Sequence, residues 1–125
     1  MRVVGRISVA KYCCVTKDIT TDEVIITEER IAHIQERHPG DYECFVRYIA
    51  EVLANPDYIL EANKPATAVV LKEIEENGEK CKLILRLRME KDPAAYRNSV
   101  LSFWRIGDTT WKKAVKNKKV LYKKE

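Results

Sequence analysis

The sequence lacks the features that mark several common classes of protein. No apolar run approaches the roughly 18 residues that a membrane-spanning helix needs. No continuous apolar core follows the basic start of the chain, as it would in a signal peptide. A glycine-rich phosphate loop and a G-x-S-x-G motif are also absent. We therefore expect a cytoplasmic protein that is not attached to a membrane and uses neither of these two catalytic motifs.

The cysteines are few and are not spaced for a disulfide framework or a metal site. They are Cys13, Cys14, Cys44 and Cys81, and no two form a C-x-x-C pair. The adjacent pair has poor geometry for both a disulfide bond and chelation. We interpret these residues as small, reduced apolar groups and expect neither a metal nor another cofactor. A zinc site assembled from scattered cysteines and histidines is the alternative.

The length fits one domain, which we expect to span residues 1–125, and charge is divided unevenly within it. Residues 1–79 hold 9 Lys or Arg and 15 Asp or Glu, a net charge of −6. Residues 80–125 hold 14 Lys or Arg and 4 Asp or Glu, a net charge of +10. This asymmetry favours a basic surface that binds a polyanion. The alternative is that the C-terminal lysines only keep the chain soluble.

The segment 27–39 is the most informative, because it contains both histidines of the chain. At about 100° per residue, Arg30, His33 and Arg37 fall on one stripe of a predicted helix, and His38 lies in its last turn. One imidazole between two guanidiniums is suited to binding a phosphate and moving a proton near it. The alternative is a solvated helix face that ends in a capping histidine.

Hydrophobic periodicity predicts an α+β fold. We expect an N-terminal strand or strands and two helices packed on a four- to five-stranded antiparallel sheet, followed by a short C-terminal helix. The predicted strands are 3–10, 24–26, 58–61, 67–75, 80–89, 98–106 and 120–122, and the two main helices are 27–37 and 41–53. Asn77-Gly78 predicts a hairpin. Its turn length leaves open whether Lys72 or Leu71 lies opposite Leu83.

Alternation along the last two long strands separates an apolar face from a second face. The odd positions, Leu101 and Phe103 among them, suit the core. The even positions of the first strand are Lys80, Lys82, Ile84, Arg86 and Arg88. Those of the second strand include Asn98, Ser102 and Trp104. If the strands are adjacent, cations, a hydroxyl and an indole share one open face, which suits RNA. The alternative is that Trp104 covers a second small core formed by the N-terminal strand, with the arginines snorkelling around it.

These residues together suggest a ribonuclease that uses the 2′-hydroxyl of the RNA as its nucleophile. Such an enzyme needs a general base, a general acid and cations near the phosphate. His33 or His38 can transfer protons near pH 7. The candidate cations are Arg30, Arg37, Lys72, Arg86 and Arg88.

The chain resembles the phage-associated nuclease domains of the barnase/EndoU/colicin/RelE superfamily, the BECR fold. The resemblance is clearest over 24–122. The motifs that carry it are VIITEERIAHIQERHP at 24–39, NPDYI at 55–59, Thr67 with 69–72, NSVLSFW at 98–104, and Leu121-Tyr122. It implies a helix-plus-antiparallel-sheet fold and RNA cleavage without a metal. It also implies a toxin or effector role, often against tRNA and sometimes restrained by an immunity protein.

The same resemblance implies roles for individual residues. Colicin D-type toxins place a catalytic histidine on the helix and a Ser-x-Trp on a late strand, which would be His33 and 102–104. Phage relatives show a threonine where this chain has Ser102, so the hydroxyl is retained. The expected catalytic residues are His33, Arg37, Ser102 and Tyr122. The expected RNA-binding residues are Arg30, His38, Lys72, Arg86, Arg88, Asn98, Trp104 and Lys112. The alternatives are a nucleic-acid-binding module without catalysis and a phage protein-interaction domain.

Overall fold

One mixed β-sheet with helices on both faces organises the chain. The computed structural model describes residues 2–94 and 96–124. The strands are β1 (Arg2–Arg6), β2 (Glu23–Ile26), β3 (Tyr58–Glu61), β4 (Thr67–Glu73), β5 (Lys80–Arg86), β6 (Asn98–Ile106) and β7 (Val120–Lys123). The helices are α1 (Val9–Tyr12), α2 (Glu28–Arg37), α3 (Asp41–Phe45), α4 (Ile49–Ala54) and α5 (Asp108–Asn117), with a 3-10 turn at Val46–Tyr48 between α3 and α4.

The strand order across the sheet is β1-β2-β6-β5-β4-β3-β7. All neighbours are antiparallel except β2 and β6, which pair in parallel at Val24–Asn98 and Ile25–Ser99. The predicted α+β class is confirmed, whereas the prediction of a four- to five-stranded antiparallel sheet is wrong in both respects. The reason is that β2 pairs in parallel with β6, which follows it by more than 70 residues, and so brings β1 and β2 into the sheet. Local periodicity does not reveal a pairing between such distant segments.

β1 is shorter than predicted because Ser8 begins a helix. The Ser8 hydroxyl accepts a hydrogen bond from the backbone N–H of Lys11, at 3.4 Å, and caps α1. The β1–β2 register shifts between Val3 and Gly5. A Cβ at Gly5 would lie 3.2 Å from the Cα of Ala50, so the missing side chain lets β1 approach α4 closely.

The second predicted helix is divided into α3, the 3-10 turn and α4. Its amphipathic pattern is confirmed, because the apolar residues all lie in the core: Tyr42, Phe45, Ile49, Val52 and Leu53. Gly40 holds the N-cap position of α3 with a φ of 84°, and the Asp41 side chain does not cap the helix. The Asp41 carboxylate instead accepts a hydrogen bond from the backbone N–H of Arg105 on β6, at 3.0 Å. Asp41 therefore fastens α3 to the sheet.

The β4–β5 hairpin has a longer turn than either predicted register assumed. Val70, and not Lys72 or Leu71, lies opposite Leu83. The backbone N–H of Ile74 donates to the carbonyl of Glu79 at 2.8 Å, which leaves a four-residue loop, 75–78. Gly78 adopts a φ of +70° in this loop, a conformation that glycine accepts without strain.

Two hydrophobic cores lie on opposite faces of the sheet. The larger packs beneath α2, α3 and α4 and contains Ile34, Phe45 and Phe103. The smaller packs beneath α5, where Leu60, Val69, Leu71, Ile106 and Ala114 are buried and Trp104 and Trp111 pack against them. A second core under Trp104 is thus present, but α5 covers it and the N-terminal strand does not. None of the described helices combines the length and apolar character needed to cross a bilayer.

Candidate active site

Helix α2 presents one edge to the core and the opposite edge to solvent. The Thr27 hydroxyl accepts a hydrogen bond from the backbone N–H of Arg30 at 3.2 Å and caps the helix. Ile31 and Ile34 are buried in the larger core, which fixes the rotation of the helix. His38 ends the helix, where its backbone N–H donates to Ile34 at 2.8 Å. The predicted helix is therefore confirmed, and His38 occupies its C-cap position, as the alternative of a capping histidine described.

Strand β6 extends beyond the point where β2 stops. β2 pairs only with Asn98 and Ser99, so helices border the rest of β6 on that side. A bulge interrupts the β5–β6 pairing, because Ser102 lies opposite Ile84 whereas Val100 lies opposite Leu85. The extra residue is Leu101. The prediction that Leu101 packs in the core is wrong, since the bulge gives that position to Val100 and turns Leu101 towards α2.

A pocket of about 310 Å³ lies between α2 and β6. We call it the histidine pocket. Its lining residues are Arg30, His33, Arg37, His38, Ile84, Leu101, Ser102 and Trp104. The helix contributes all of the cations and imidazoles, and the sheet contributes the hydroxyl and the indole. The structure thus brings together six residues that the sequence singled out, while Ile84 and Leu101 are additional apolar walls.

The rings of His38 and Trp104 are stacked in this pocket. Their centroids are 4.6 Å apart and their planes differ by 3°. The Lys82 ammonium lies 5.3 Å from the centroid of the same indole ring. Burial lowers the pKa of Lys82, and repulsion from Lys118 lowers it further. His38 already covers one face of Trp104. A base that binds on that side therefore has to displace the His38 ring or stack on its outer face.

Ser102 carries a hydroxyl without a protein partner. Its Oγ is buried and makes no hydrogen bond to any residue that the structure describes. Leaving a buried hydroxyl unsatisfied costs roughly 1–3 kcal/mol. Because Ser102 lines the histidine pocket, a ligand oxygen there can accept the missing hydrogen bond once a local movement exposes Oγ, which has less than 1 Å² of accessible surface.

Arg86 and Arg88 instead hold the loop that follows β5. Arg86 donates to the carbonyl of Leu87 and, at 3.3 Å, to the Asp92 carboxylate. Arg88 donates to the Thr20 hydroxyl and to two carbonyls of the loop. The backbone N–H of Met89, followed by Arg86, lowers the pKa of Asp92. Neither arginine lines the histidine pocket.

The four other predicted residues also lie away from this pocket. Asn98 is buried, accepts from the backbone of Arg88 and donates to two carbonyls of the β2 region. Lys72 is buried beside Asp57, at 3.6 Å. Tyr122 packs against the larger core from β7, and Lys112 is exposed on α5. Their roles in RNA binding or catalysis stay predictions.

Lys82 lies beside Trp104, a wall of the pocket, and was not among the residues predicted to form the site. A signal for it was present, because Lys82 is an even position of β5 and pairs directly with Trp104. Ile84 and Leu101 were also missed. The bulge that exposes Leu101 has no marker in the sequence, since neither glycine nor proline occurs near it.

Another pocket, of about 350 Å³, lies near α3 and the β4–β5 turn. No histidine lines it. Both of its arginines are paired with glutamates, Arg47 with Glu76 at 3.8 Å and Arg105 with Glu79 at 3.5 Å. It offers less for proton transfer or anion binding than the histidine pocket does. Over residues 2–94 and 96–124, no group of three or more His, Cys, Asp or Glu side chains is placed to hold a metal ion.

Comparison with known proteins identifies a family. The family described as phage-Barnase-EndoU-ColicinE5/D-RelE like nuclease2 matches residues 9–123. No curated protein and no solved structure gives a significant match. The family match begins at the first residue of α1 and ends at the last residue of β7, so it includes both walls of the histidine pocket. The resemblance drawn from the motifs is confirmed, and the chain belongs to the phage-Barnase-EndoU-ColicinE5/D-RelE like nuclease2 family.

Proposed function

We propose that this nuclease is an endoribonuclease that cleaves RNA by attack of a 2′-hydroxyl on the adjacent phosphate, without a metal ion. The observation that carries the proposal is the content of the histidine pocket. Two imidazoles and two guanidiniums line one open cavity together with Ser102, whose buried hydroxyl has no partner among the described residues. The reaction needs a proton acceptor, a proton donor and charge to stabilise the phosphorane, and these side chains can supply all three.

In the proposed reaction the 2′-oxygen forms a bond to phosphorus and the bond from phosphorus to the 5′-oxygen breaks. The products are a 2′,3′-cyclic phosphate and a 5′-hydroxyl. His33 accepts the proton of the 2′-hydroxyl, and His38 donates a proton to the departing 5′-oxygen. We assign the donor role to His38 because it stacks on Trp104, and the face of an indole attracts a cation.

Helix geometry supports the role of the two arginines. Arg30 and Arg37 lie three residues before and four residues after His33, which is a rise of about 4.5 and 6 Å along the helix axis. A phosphate beside His33 is therefore within reach of both long side chains. Ser102 lies on the sheet side, and a small movement that exposes its buried hydroxyl would let it donate its unused O–H to a non-bridging oxygen. Such donors stabilise the transition state when they are fixed in place before the reaction.

The excess positive charge of the C-terminal part of the chain supports a polyanionic substrate. We propose structured RNA as that substrate, with tRNA as the first RNA to test. We also propose that the protein acts as a toxin in the cytoplasm of a bacterial or phage-infected cell and is restrained there by an immunity protein. Toxicity on expression that is relieved by His33→Ala would support this role.

Analysis of the RNA ends tests the proposal. Purified protein is incubated with end-labelled tRNA in EDTA, and the products are examined for 2′,3′-cyclic phosphate. We expect cyclic ends, and we expect His33→Ala to reduce the cleavage rate by about 10²–10⁴-fold. Glu36→Ala is the matched control, because Glu36 is exposed on the same helix but does not line the pocket.

Products that end in a 3′-hydroxyl, or an undiminished rate for His33→Ala, would contradict the mechanism. Salt-sensitive RNA binding without any new ends would instead identify a nucleic-acid-binding module that has no catalytic activity.

A further inference from the structure

A pair of lysines lies on the α5 side of the sheet, the side on which Trp104 packs and forms a wall of the histidine pocket. Lys82 lies on β5 directly opposite Trp104, and its ammonium is 5.3 Å from the indole centroid. Lys118 caps α5, and its backbone N–H donates to Ala114 at 3.0 Å. Ala114 is buried in the same small core against which Trp104 packs. Lys82 therefore lies against Trp104 from β5, and Lys118 lies at the end of the helix that packs on the same small core.

The charges of these lysines are not balanced by nearby carboxylates. Over the described part of the chain, neither ammonium lies within 4.0 Å of a carboxylate oxygen. The neighbouring Lys80, by contrast, is paired with Asp108 at 2.9 Å and with Glu73 at 3.5 Å. Both Lys82 and Lys118 are half-buried. Like charges that share a partly desolvated surface are unfavourable unless an anion joins them.

The pKa of Lys82 is consistent with this description. Burial is the larger cause of its lowered pKa, and repulsion from Lys118 is the second. A bound phosphate would act in the opposite direction, because an adjacent anion favours the protonated form of a lysine. The pair thus has the electrostatic character of an anion site and also continues the cationic lining of the histidine pocket.

We infer that Lys82 and Lys118 bind a phosphate of the RNA next to the one that is cleaved. The substrate strand would then run from the histidine pocket past the Trp104 edge to the end of α5. The identity of the polymer rests on the proposed function, but the binding site itself does not require cleavage. The inference makes the substrate an oligonucleotide that is longer than a dinucleotide, because a dinucleotide contains only the phosphate that is cleaved.

Salt-dependent binding tests this inference. The probe is a single-stranded 2′-O-methyl oligoribonucleotide, which lacks the nucleophilic hydroxyl and cannot be cleaved. For a single strand, the slope of log K against log salt concentration falls by about 0.7 for each phosphate contact that is lost. We expect Lys82→Gln and Lys118→Gln to weaken binding and to lower the slope by about that amount. Lys82→Arg should retain the wild-type slope.

Lys113→Gln is the matched control, since Lys113 is exposed on α5. A slope change no larger for Lys82→Gln and Lys118→Gln than for Lys113→Gln would overturn the inference. So would weaker binding by Lys82→Gln with an unchanged slope, because that result indicates only a supporting role under Trp104. Protein that shows the expected slopes but never cleaves RNA would refute the proposed function and support this site.

Discussion

The buried ion pair between Lys72 and Asp57 should respond very differently to the removal of each partner. Lys72 is 2% exposed, and its ammonium is 3.6 Å from the Asp57 carboxylate. Asp57 is 21% exposed, and its other oxygen accepts a hydrogen bond from the backbone of Glu73 at 2.8 Å. Asp57→Asn therefore leaves a buried cation without an anion, whereas Lys72→Met leaves a carboxylate that keeps both water and a hydrogen bond.

Removing one partner of a buried ion pair costs about 3–5 kcal/mol. Because Asp57 is partly exposed, we expect Asp57→Asn to lower the free energy of unfolding by about 3 kcal/mol, near the lower end of that range. Lys72→Met should cost about 1 kcal/mol or less, since replacing a buried charge by an apolar side chain of similar size is often close to neutral. For a domain of this size about 1 kcal/mol corresponds to roughly 4 °C in Tm.

Urea and thermal unfolding of the two single variants and the double variant measure this difference. The double variant, Asp57→Asn with Lys72→Met, should recover most of the stability lost by Asp57→Asn, because no charge is then stranded. Equal losses for the two single variants would refute the reasoning. A loss below about 1 kcal/mol for Asp57→Asn would also refute it, because water would then be reaching the ammonium.

Two further predictions concern acid sensitivity and thiol reactivity. The backbone N–H of Met89 and then Arg86 lower the pKa of Asp92 in the folded state. The ionised Asp92 therefore stabilises the fold at pH values above its unfolded pKa, roughly 3.9. This stabilisation is lost as the pH falls through the folded pKa. In urea unfolding between pH 3 and pH 7, the free energy of unfolding of Asp92→Asn should fall less steeply with decreasing pH than that of wild type. An equally steep fall would contradict the assignment. Burial raises the pKa of Cys81 to about 12, so a thiol-specific reagent at pH 8 should modify Cys81 only on unfolding. The exposed thiols that should react in the native protein are Cys13, Cys14 and Cys44; labelling of a fourth thiol without denaturant would show that the core opens locally.

The sequence was sufficient where the determining interactions are local. Helix α2 has its cap at Thr27, its buried isoleucines and its terminating proline within thirteen residues. The stripe of Arg30, His33 and Arg37 therefore follows from helix geometry alone. Trp104 and Ser102 were also predictable as neighbours, because strand alternation places them on one face of β6.

The sequence was insufficient where a side chain depends on a distant partner. Alternation places Arg86 and Arg88 on the second face of β5, but it does not show that Asp92 and the loop carbonyls engage them. Lys72 reads as a free cation until Asp57, fifteen residues earlier, is placed beside it. The parallel pairing of β2 with β6 and the bulge at Leu101 depend on the whole sheet. Each of these features is tertiary, and no periodic pattern encodes it.

The position of the histidine pocket beside an incompletely paired strand also affects solubility. Without α2 and α3, the part of β6 that β2 does not reach would present free amide and carbonyl groups to any extended chain nearby. Leu101 and Phe103 would then lie on an exposed, aggregation-prone edge strand. The bond from Arg105 to Asp41 closes part of that edge. Helices α2 and α3 thus also prevent intermolecular β-pairing, and a substitution that loosened α2 to admit a larger substrate would promote aggregation.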